Sequence, residues 1–580
     1  MKRIAWIFGA LALAVFATLA VVVVLLPRES LKTGIGEQIA AWTGRDVSLR
    51  GDPELDFFPE VTVTLKDVQV GGPPAMVDGE IVSMERLTGK IRLLPLVIGR
   101  VEIGSYRIVR PLIRLVRDDT GARNWAFESG AAALQLAFAG DVPLGDFVME
   151  DGTLIYQNRR DGVIERLDSL NLSVAWPSVR APLVISGSGI WRGEQFSFSA
   201  TTDAPFEFIR GETTALEANL DSVPLAMVFR GTAADFNRPR LTGDLSLTTP
   251  SLRGFAAWLG SPIGPGSTLG PASLAGTADF VEGVLSVENA RLTLDGNDAT
   301  GAVKVTASAR PDISGTLAFA NLDLTPYFSG VVSTVRSGGW QDLDIDTEWF
   351  RDLTADVRLS AGSVQIGSVR FGEAAASASL REARLEIGIA EAEFSGGALT
   401  GNVAISRTPA GPETIEAQLR ANGFDLAQAA PALGLPASLA GTASVAMDFA
   451  GHAADLGSLI ADLGGTASLS VRNGSIPLFG IADFAAGAPG NAVFASDNSV
   501  TSPVSDLAAR LSFAAGAATL EEATVVAADF SVAAAGRIGL VDGSLDVDGS
   551  VRPGSGAPPI PFSLNGSLAR PVVQATLPTN

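Results

Sequence analysis

A glycine followed by alternating small and apolar residues recurs along this chain, and that pattern restricts the fold more than any other feature. It stands at Gly301-Ala302-Val303-Lys304-Val305, Gly315-Thr316-Leu317-Ala318-Phe319 and Gly401-Asn402-Val403-Ala404-Ile405. It returns at Gly441-Thr442-Ala443-Ser444-Val445, Gly465-Thr466-Ala467-Ser468-Leu469 and Gly536-Arg537-Ile538-Gly539-Leu540. Alternation of period two sorts the side chains of a strand onto opposite faces. The five residues Leu-Ala-Gly-Thr-Ala occur at 274–278 and again at 439–443. Degenerate repetition of this kind marks stacked supersecondary units rather than a single globule. Turn residues spaced about 8–12 apart predict a meander or solenoid of short strands. Few helical segments are long enough for parallel crossovers, so the pairing is expected to be mostly antiparallel.

Val61, Val63 and Leu65 alternate with Thr62 and Thr64, the pattern of a half-buried strand. The phase slips at Lys66–Asp67 and resumes with Val68 and Val70, which predicts a bulge or turn. Short helices punctuate the strands. Ser251 is placed to cap a helix running to Leu259, and residues 260–270 read as a loop. Asp455 is placed to cap a second helix with Leu456, Leu459, Ile460 and Leu463 on one face, stopped at Gly464. Leu31, Ile35, Ile39 and Trp42 share a face of a third, ended by Gly44.

Ile4 to Leu26 is an uncharged run of 23 residues. As a helix it reaches about 34 Å, enough for a hydrocarbon core of about 30 Å. Lys2 and Arg3 precede it, which predicts a cytoplasmic N-terminus with the body outside. The rival is a cleaved signal peptide. Signal peptides have shorter apolar regions that end at a small-residue cleavage site, whereas this run continues through Val21–Leu26 and ends at Pro27-Arg28-Glu29, so an uncleaved anchor is the expectation.

Several chemistries find no support. There is no cysteine, hence no disulfide framework, thiolate metal site or cysteine nucleophile. The single histidine, His452, lies in a loop-like Gly451-His452-Ala453 segment and reads as a solvent-facing side chain rather than a general base. Residues 1–125 carry 16 Lys and Arg against 14 Asp and Glu, while the remainder carries 26 against 49, so the body lacks an electrostatic footprint for nucleic acid. The near-neutral first part tolerates an anionic lipid surface. Asp342, Asp344 and Asp346 alternate with Leu343 and Ile345. Without the glycine and terminal glutamate of a calcium loop, they read as a solvent-facing strand edge. Arg117-Asp118-Asp119 and Asn124-Trp125 read as a tight turn with Trp125 packed beneath it. No nucleophile elbow, phosphate loop or HExxH motif is present. The expectation is a protein that is not an enzyme, with no catalytic residue, no metal and no cofactor.

Taken in order, the motifs resemble the AsmA family. They begin with the apolar run, Thr43-Gly44-Arg45, Gly51 and Pro59-Glu60-Val61-Thr62-Val63. Leu94-Pro95-Leu96, Gly99 and the segment Pro111 to Asp118 with Gly121 and Asn124-Trp125 follow. Later come Asp151-Gly152-Thr153, Leu167-Asp168-Ser169-Leu170-Asn171, Arg310-Pro311-Asp312 and Leu322-Asp323-Leu324. Asn473-Gly474-Ser475-Ile476, Pro559-Ile560-Pro561 and Asn565-Gly566 resemble the family's terminal domain. The resemblance implies a role in envelope and outer-membrane biogenesis of a Gram-negative cell, akin to bridge-like lipid transfer relatives such as TamB.

The expected fold class is mostly β. An N-terminal transmembrane helix precedes an elongated, repetitive, mainly antiparallel β-sheet, which forms a groove or taco-like body with short punctuating helices. The expected divisions are a cytoplasmic N-terminus at 1–3, the membrane helix at 4–26, β regions at 27–200 and 201–430, and a terminal β region at 431–580. Val61, Val63 and Leu65 are the candidate lipid-facing strand. Phospholipid or another envelope lipid is the expected partner, together with the inner membrane and outer-membrane assembly proteins. Pattern alone favours a closed sandwich core, which needs the same alternation; the resemblance favours an open groove. A structural assembly factor that binds no lipid is the alternative, and an envelope hydrolase, for which no site is visible, is the third.

Overall fold

The glycine-led segments are strands. The computed structural model describes residues 47–51, 53–56, 61–72, 80–91, 103–125, 143–236, 238–263, 268–308, 310–328, 347–407, 412–435, 438–453, 455–477, 490–495, 501–554, 558–567 and 570–577. Five of the six glycine-led segments fall wholly within strands of that set, and the sixth, Gly536–Leu540, all but its last residue. The chain divides into two compact units, the first of residues 1–260 and 274–282, the second of residues 261–273 and 283–580.

The first unit is built from β1 (Val47–Leu49), β2 (Glu54–Asp56), β3 (Thr62–Gly71), β4 (Glu80–Ile91), β5 (Ile103–Arg117) and β6 (Pro143–Asn158). It continues with β7 (Val163–Ser178), β8 (Leu183–Trp191), β9 (Glu194–Thr202), β10 (Thr213–Ser222), β11 (Ala226–Ala234) and β12 (Arg240–Thr249). From β3 to β12 each strand pairs with the next, antiparallel except for the parallel pair β5 and β6. Two short helices interrupt the run: α1 (Pro205–Ile209) after β9 and α2 (Leu252–Trp258) after β12. Ser251 caps α2 by accepting from the Gly254 amide, as its position before the apolar run predicts.

The slip at Lys66–Asp67 is an irregularity that crosses several strands. Asp67, Arg110, Asp151 and Ser169 all have left-handed backbone, with φ of 52°, 48°, 51° and 48°. The registers place Asp67 level with Glu85, Glu85 level with Arg110, and Arg110 beside Asp151. At this line two consecutive residues, such as exposed Lys66 and Asp67, turn outward, and the inward series steps from Leu65 to Val68. Such a device bends the strands without mixing their faces.

The second unit repeats the plan. Consecutive strands from Val284–Leu294 to Arg570–Leu577 pair antiparallel, save that Asp312–Phe319 runs parallel to Thr354–Ala361. The strand Gly490–Ala495 is taken out of order and pairs beyond Arg570–Leu577. Register shifts at Val287/Ala290, Ile389/Ala392, Ala421/Phe424 and Leu520/Ala523 again bend single strands. A small ribbon of Leu322–Asp323, Val364–Ile366 and Val369–Phe371 lies apart from these ladders. The helices here are α3 (Leu426–Ala432), capped by Asp425, and α4 (Leu456–Asp462), capped by Asp455 in a reciprocal capping box with Ser458. His452 is not in a loop. It closes the strand Ala440–Ala453, opposite Thr414, because the outward face of a strand accepts an exposed polar residue as readily as a turn does. Its Nδ1 lies 3.1 Å from the Asp462 carboxylate.

Among the described residues no helix is long and apolar enough to cross a membrane. The run Ile4–Leu26, the helix Leu31–Trp42, Thr43-Gly44-Arg45, Pro59-Glu60, Leu94-Pro95-Leu96 and the Asp342/Asp344/Asp346 series lie outside those residues.

Candidate functional site

Successive registers bring one face of each strand into line with the same face of its neighbours. In the first unit a row runs Leu65, Leu87, Ile108, Met149, Leu172 and Gly187, then Phe198, Leu220, Met227 and Leu247. It crosses ten strands, about 43 Å at about 4.8 Å per step, without a polar side chain. The row one residue away on each strand is polar at Thr64, Thr88, Arg107, Ser173, Ser186, Ser199, Asn219 and Ser246 and apolar only at Val148 and Val228. The two faces therefore differ in kind, as the period of two demands.

The second unit carries a longer row. It starts at Ala290 and Gly301, passes Leu317, Leu359, Ala376, Ile389, Gly401, Leu419, Met447 and Ala467, and ends through Leu511, Leu520, Gly536, Val547, Leu564 and Val573. These strands span about 70 Å at the same spacing. The neighbouring row holds Arg358, Ser377, Asn402, Gln418, Asp448, Thr466, Ser512 and Thr519.

The apolar faces are not uniformly covered. Val61, Val63 and Leu65 belong to the apolar face of the first unit and are 5%, 3% and 2% exposed. They form one cluster with Val68, Met84, Leu87 and Ile91. From Leu172 to Leu247 the row is half-buried throughout, and from Leu359 to Gly536 the longer row is half-buried as well. The far end closes again at Val525, Val532, Val551, Ile560 and Val573.

Helices wall the open stretches. β9 ends at one margin and β12 at the other, so α1 and α2 land on opposite margins of the first unit's apolar face. α1 is held there by the Ala204 amide donating to Thr214 Oγ1 at 3.0 Å and by the ring pair Phe208–Phe236. α3 buries Leu426, Ala429 and Ala430 beside Phe394, Phe424 and Val471 at one margin of the second unit's face. α4 sets Leu459 against Ile415 at the other. Ile415 and Phe424 lie about 30 Å apart along their strand. Two helices about 10 Å across, seated over those positions, leave a floor of the order of 20 Å between them. Each unit thus holds an apolar trough with polar backs and helical walls.

Glycines shape the floor. Gly465 sits between Phe449 and Phe513 in the ladder, at φ 147°, and a Cβ there would lie 2.1 Å from the Asp448 carbonyl oxygen. In the first unit the Phe198 ring lies over Gly187, where a Cβ would meet it at 2.8 Å.

The margin at α2 is fastened by a polar cluster that local sequence patterns do not reveal. The Glu165 carboxylate accepts from Trp191 Nε1 at 2.9 Å and from Arg192 Nε at 3.1 Å, and pairs with Arg192 Nη2. Arg192 Nη1 donates to the Trp258 carbonyl oxygen at 2.9 Å. Hydrogen bonding from Arg192 first, then from Trp191, holds the Glu165 carboxyl below the ordinary glutamate range despite the opposing pull of burial. Both side chains of this ion pair are partly covered, Arg192 and Glu165 being 32% and 22% exposed.

Arg117 to Trp125 form the tight turn read from the sequence. Asp118 Oδ1 accepts from Thr120 N, Thr120 Oγ1 and Ala122 N. Asn124 is buried, donating Nδ2 to the Arg114 carbonyl oxygen and accepting from the Val116 amide, each at 2.8 Å. Trp125 packs edge-on against Tyr156, ring centroids 5.9 Å apart. Among the described residues no group of three or more Asp, Glu or His side chains is placed to hold a metal ion.

A family model described as the AsmA family matches residues 1–204 and 209–523. No curated protein and no solved structure matches the chain.

Proposed function

The chain belongs to the AsmA family, and from that premise we propose that it is an envelope protein that handles phospholipid or a similar envelope lipid in its apolar troughs, without catalysis. Family membership carries the broad envelope role. The observation that supports the finer reading is the half-buried floor between helical walls, exemplified by Leu419 and Met447 facing one another on neighbouring strands. Ordinary cores cover such a face completely; here it stays accessible over many strands.

The physical argument is one of transfer. Each methylene kept from water is worth about 0.8 kcal/mol, so an acyl chain leaving a bilayer unaided meets a large barrier. A continuous apolar track removes most of that barrier, and a gradient or a partner supplies direction. In this reading the run Ile4–Leu26 is a single-pass inner-membrane anchor with a cytoplasmic N-terminus and a periplasmic body. The test is mass spectrometry of solvent extracts from the purified full chain, with photo-crosslinkers at Leu419 and at Gln418. Lipid in the extract and lipid adducts at Leu419 alone are expected. A chain free of lipid and unlabelled at Leu419 overturns the reading.

A second reading rests on the closed end at Val61, Val63 and Leu65, where protein side chains pack on the apolar face. That packing favours an assembly factor for outer-membrane proteins that binds no lipid. Crosslinks to protein alone from every position on the apolar rows would support it.

A further inference from the structure

The turn after β5 holds two charges that the trough alone does not explain. Asp118 N donates to the Ala122 carbonyl oxygen and Asn124 N to that of Val116, each at 2.9 Å. Arg117 and Arg123 are therefore directly opposed across a narrow, non-hydrogen-bonded bridge, the type in which side chains stand closest. Like charges so placed repel.

Among the described residues no acidic side chain is paired with either of them, and Arg117 Nε is sealed from solvent without a hydrogen-bond partner. The adjacent acids are otherwise engaged. Asp118 is spent on Thr120 and Ala122, and Asp161 accepts from Asn158 Nδ2 at 2.6 Å. Asp119 is exposed and bonded to neither arginine. Arg160, in the turn after β6, is exposed and adds to the positive charge.

The pair also stands at a boundary. Arg117 continues the inward series Ile113, Leu115 along β5, and Leu115 lies beside Tyr156 in the parallel ladder. The Arg123 guanidinium is 6.0 Å from the centre of the Trp125 ring, which packs on Tyr156. Trp125 and Tyr156 thus sit beside the arginine pair where the apolar series of β5 ends. Amphipathic rings suit the border between hydrocarbon and headgroup.

We infer that Arg117 and Arg123 bind a phosphate group at the margin of the first unit's trough, as the headgroup end of a lipid whose tails enter it. The inference rests on the lipid-handling reading above. Guanidinium forks match phosphate oxygens in bidentate fashion, and a phosphate between the two arginines turns their repulsion into attraction. A lipid headgroup and free phosphate share this chemistry.

The test uses the purified full chain, wild type and the double variant R117Q/R123Q. The probes are inorganic phosphate, a short-tailed diacyl phosphatidic acid, and the diacylglycerol with the same tails, each titrated by calorimetry and by thermal melting. Phosphatidic acid is expected to bind the wild type, and the double variant to lose about tenfold or more in affinity while binding diacylglycerol as before. Without any probe, R123Q alone is expected to raise Tm, because it removes the repulsion; a merely structural arginine would lower it. R117K/R123K, which keeps charge without the fork, is expected to bind phosphatidic acid with intermediate affinity. Equal phosphatidic acid affinity in wild type and double variant overturns the site and leaves the trough standing. Failure of the wild type to bind either tailed probe overturns the trough and the headgroup site together. Stabilisation by inorganic phosphate with no further gain from phosphatidic acid overturns the headgroup source and leaves an anion site.

Discussion

Trp258 donates its indole N–H to the main-chain carbonyl oxygen of Trp191 at 3.0 Å, while the two indole rings meet edge to face with centroids 4.7 Å apart. The contact joins the last turn of α2 to the end of β8, elements separated by more than fifty residues of chain. Arg192, beside Trp191, closes the loop by donating to the Trp258 carbonyl oxygen. A helix of seven residues has little stability of its own, so its place on the trough margin depends on these tertiary contacts.

Trp258→Ala is therefore expected to cost about 3–5 kcal/mol locally, the range for removing a buried aromatic ring. Trp258→Phe, which keeps most of the ring and loses the hydrogen bond, is expected to cost about 1 kcal/mol. Hydrogen exchange checks both: α2 and the end of β8 are expected to lose protection together, while β3 and β4 keep theirs.

The Glu165 carboxyl gives this fastening a pH signature. Its hydrogen bonds from Arg192 and Trp191 place its folded pKa below the unfolded one. A lowered carboxyl pKa contributes stability that is complete above the unfolded value and is lost as pH falls through the folded value. Glu165→Gln is expected to lower Tm at neutral pH, and the gap to the wild type is expected to close as pH drops below the ordinary glutamate range. A gap that persists unchanged in acid would show that the ion pair is not its source.

Much of the fold was legible because it is local. The outward pair Lys66 and Asp67 interrupts an otherwise clean alternation, and the left-handed Asp67 sits there, with the register to the next strand kept across it. Ser251 and Asp455 precede apolar runs and cap helices. α3 is not legible, for equally local reasons: its buried face is partly Ala429 and Ala430, too small to mark an apolar stripe, and Pro431 reads as a breaker. The cluster of Glu165, Arg192 and Trp258 joins residues far apart in sequence, which no periodicity reports. Alternation sets which side chains share a face but is silent on what lies over that face. Val63 and Leu220 occupy the same face by register, yet Val63 is 3% exposed and Leu220 is half-buried.

Gly465 tests how tightly the ladder is built. A Cβ at this position would meet the Asp448 carbonyl oxygen at 2.1 Å and the Phe449 Cα at 2.7 Å, so the partner strand must move to admit one. Backbone at φ 147° adds strain for any L side chain. Gly465→Ala is expected to destabilise by about 3 kcal/mol or more, read as a fall in thermal midpoint, with register loss between Ala440–Ala453 and Gly464–Pro477 seen as joint loss of amide protection. Gly543→Ala, in a turn with φ 66° and open space around it, lacks the clash and is expected to cost about 1 kcal/mol.

The trough floor makes the sharpest demand on side-chain polarity. Leu419 is half-buried on the floor between Gly401 and Met447, whereas Gln418, its neighbour along the strand, is exposed on the polar back between Asn402 and Asp448. Because the floor is open to solvent in the lipid-free chain, a carboxylate at 419 can hydrate there and costs stability only modestly, about 1–2 kcal/mol. With hydrocarbon lying on it, the same carboxylate loses its water, and binding must bear that much larger penalty. Leu419→Asp is thus expected to fold, with far-UV circular dichroism like the wild type, and to lose most co-purifying lipid. Gln418→Glu places the same charge one residue away and is expected to change neither. Lipid retained at wild-type levels in a folded Leu419→Asp chain would mean that this floor carries no hydrocarbon. A Leu419→Asp chain that fails to fold at all would mean that the floor is a sealed core after all, since only a covered position makes one carboxylate so destructive.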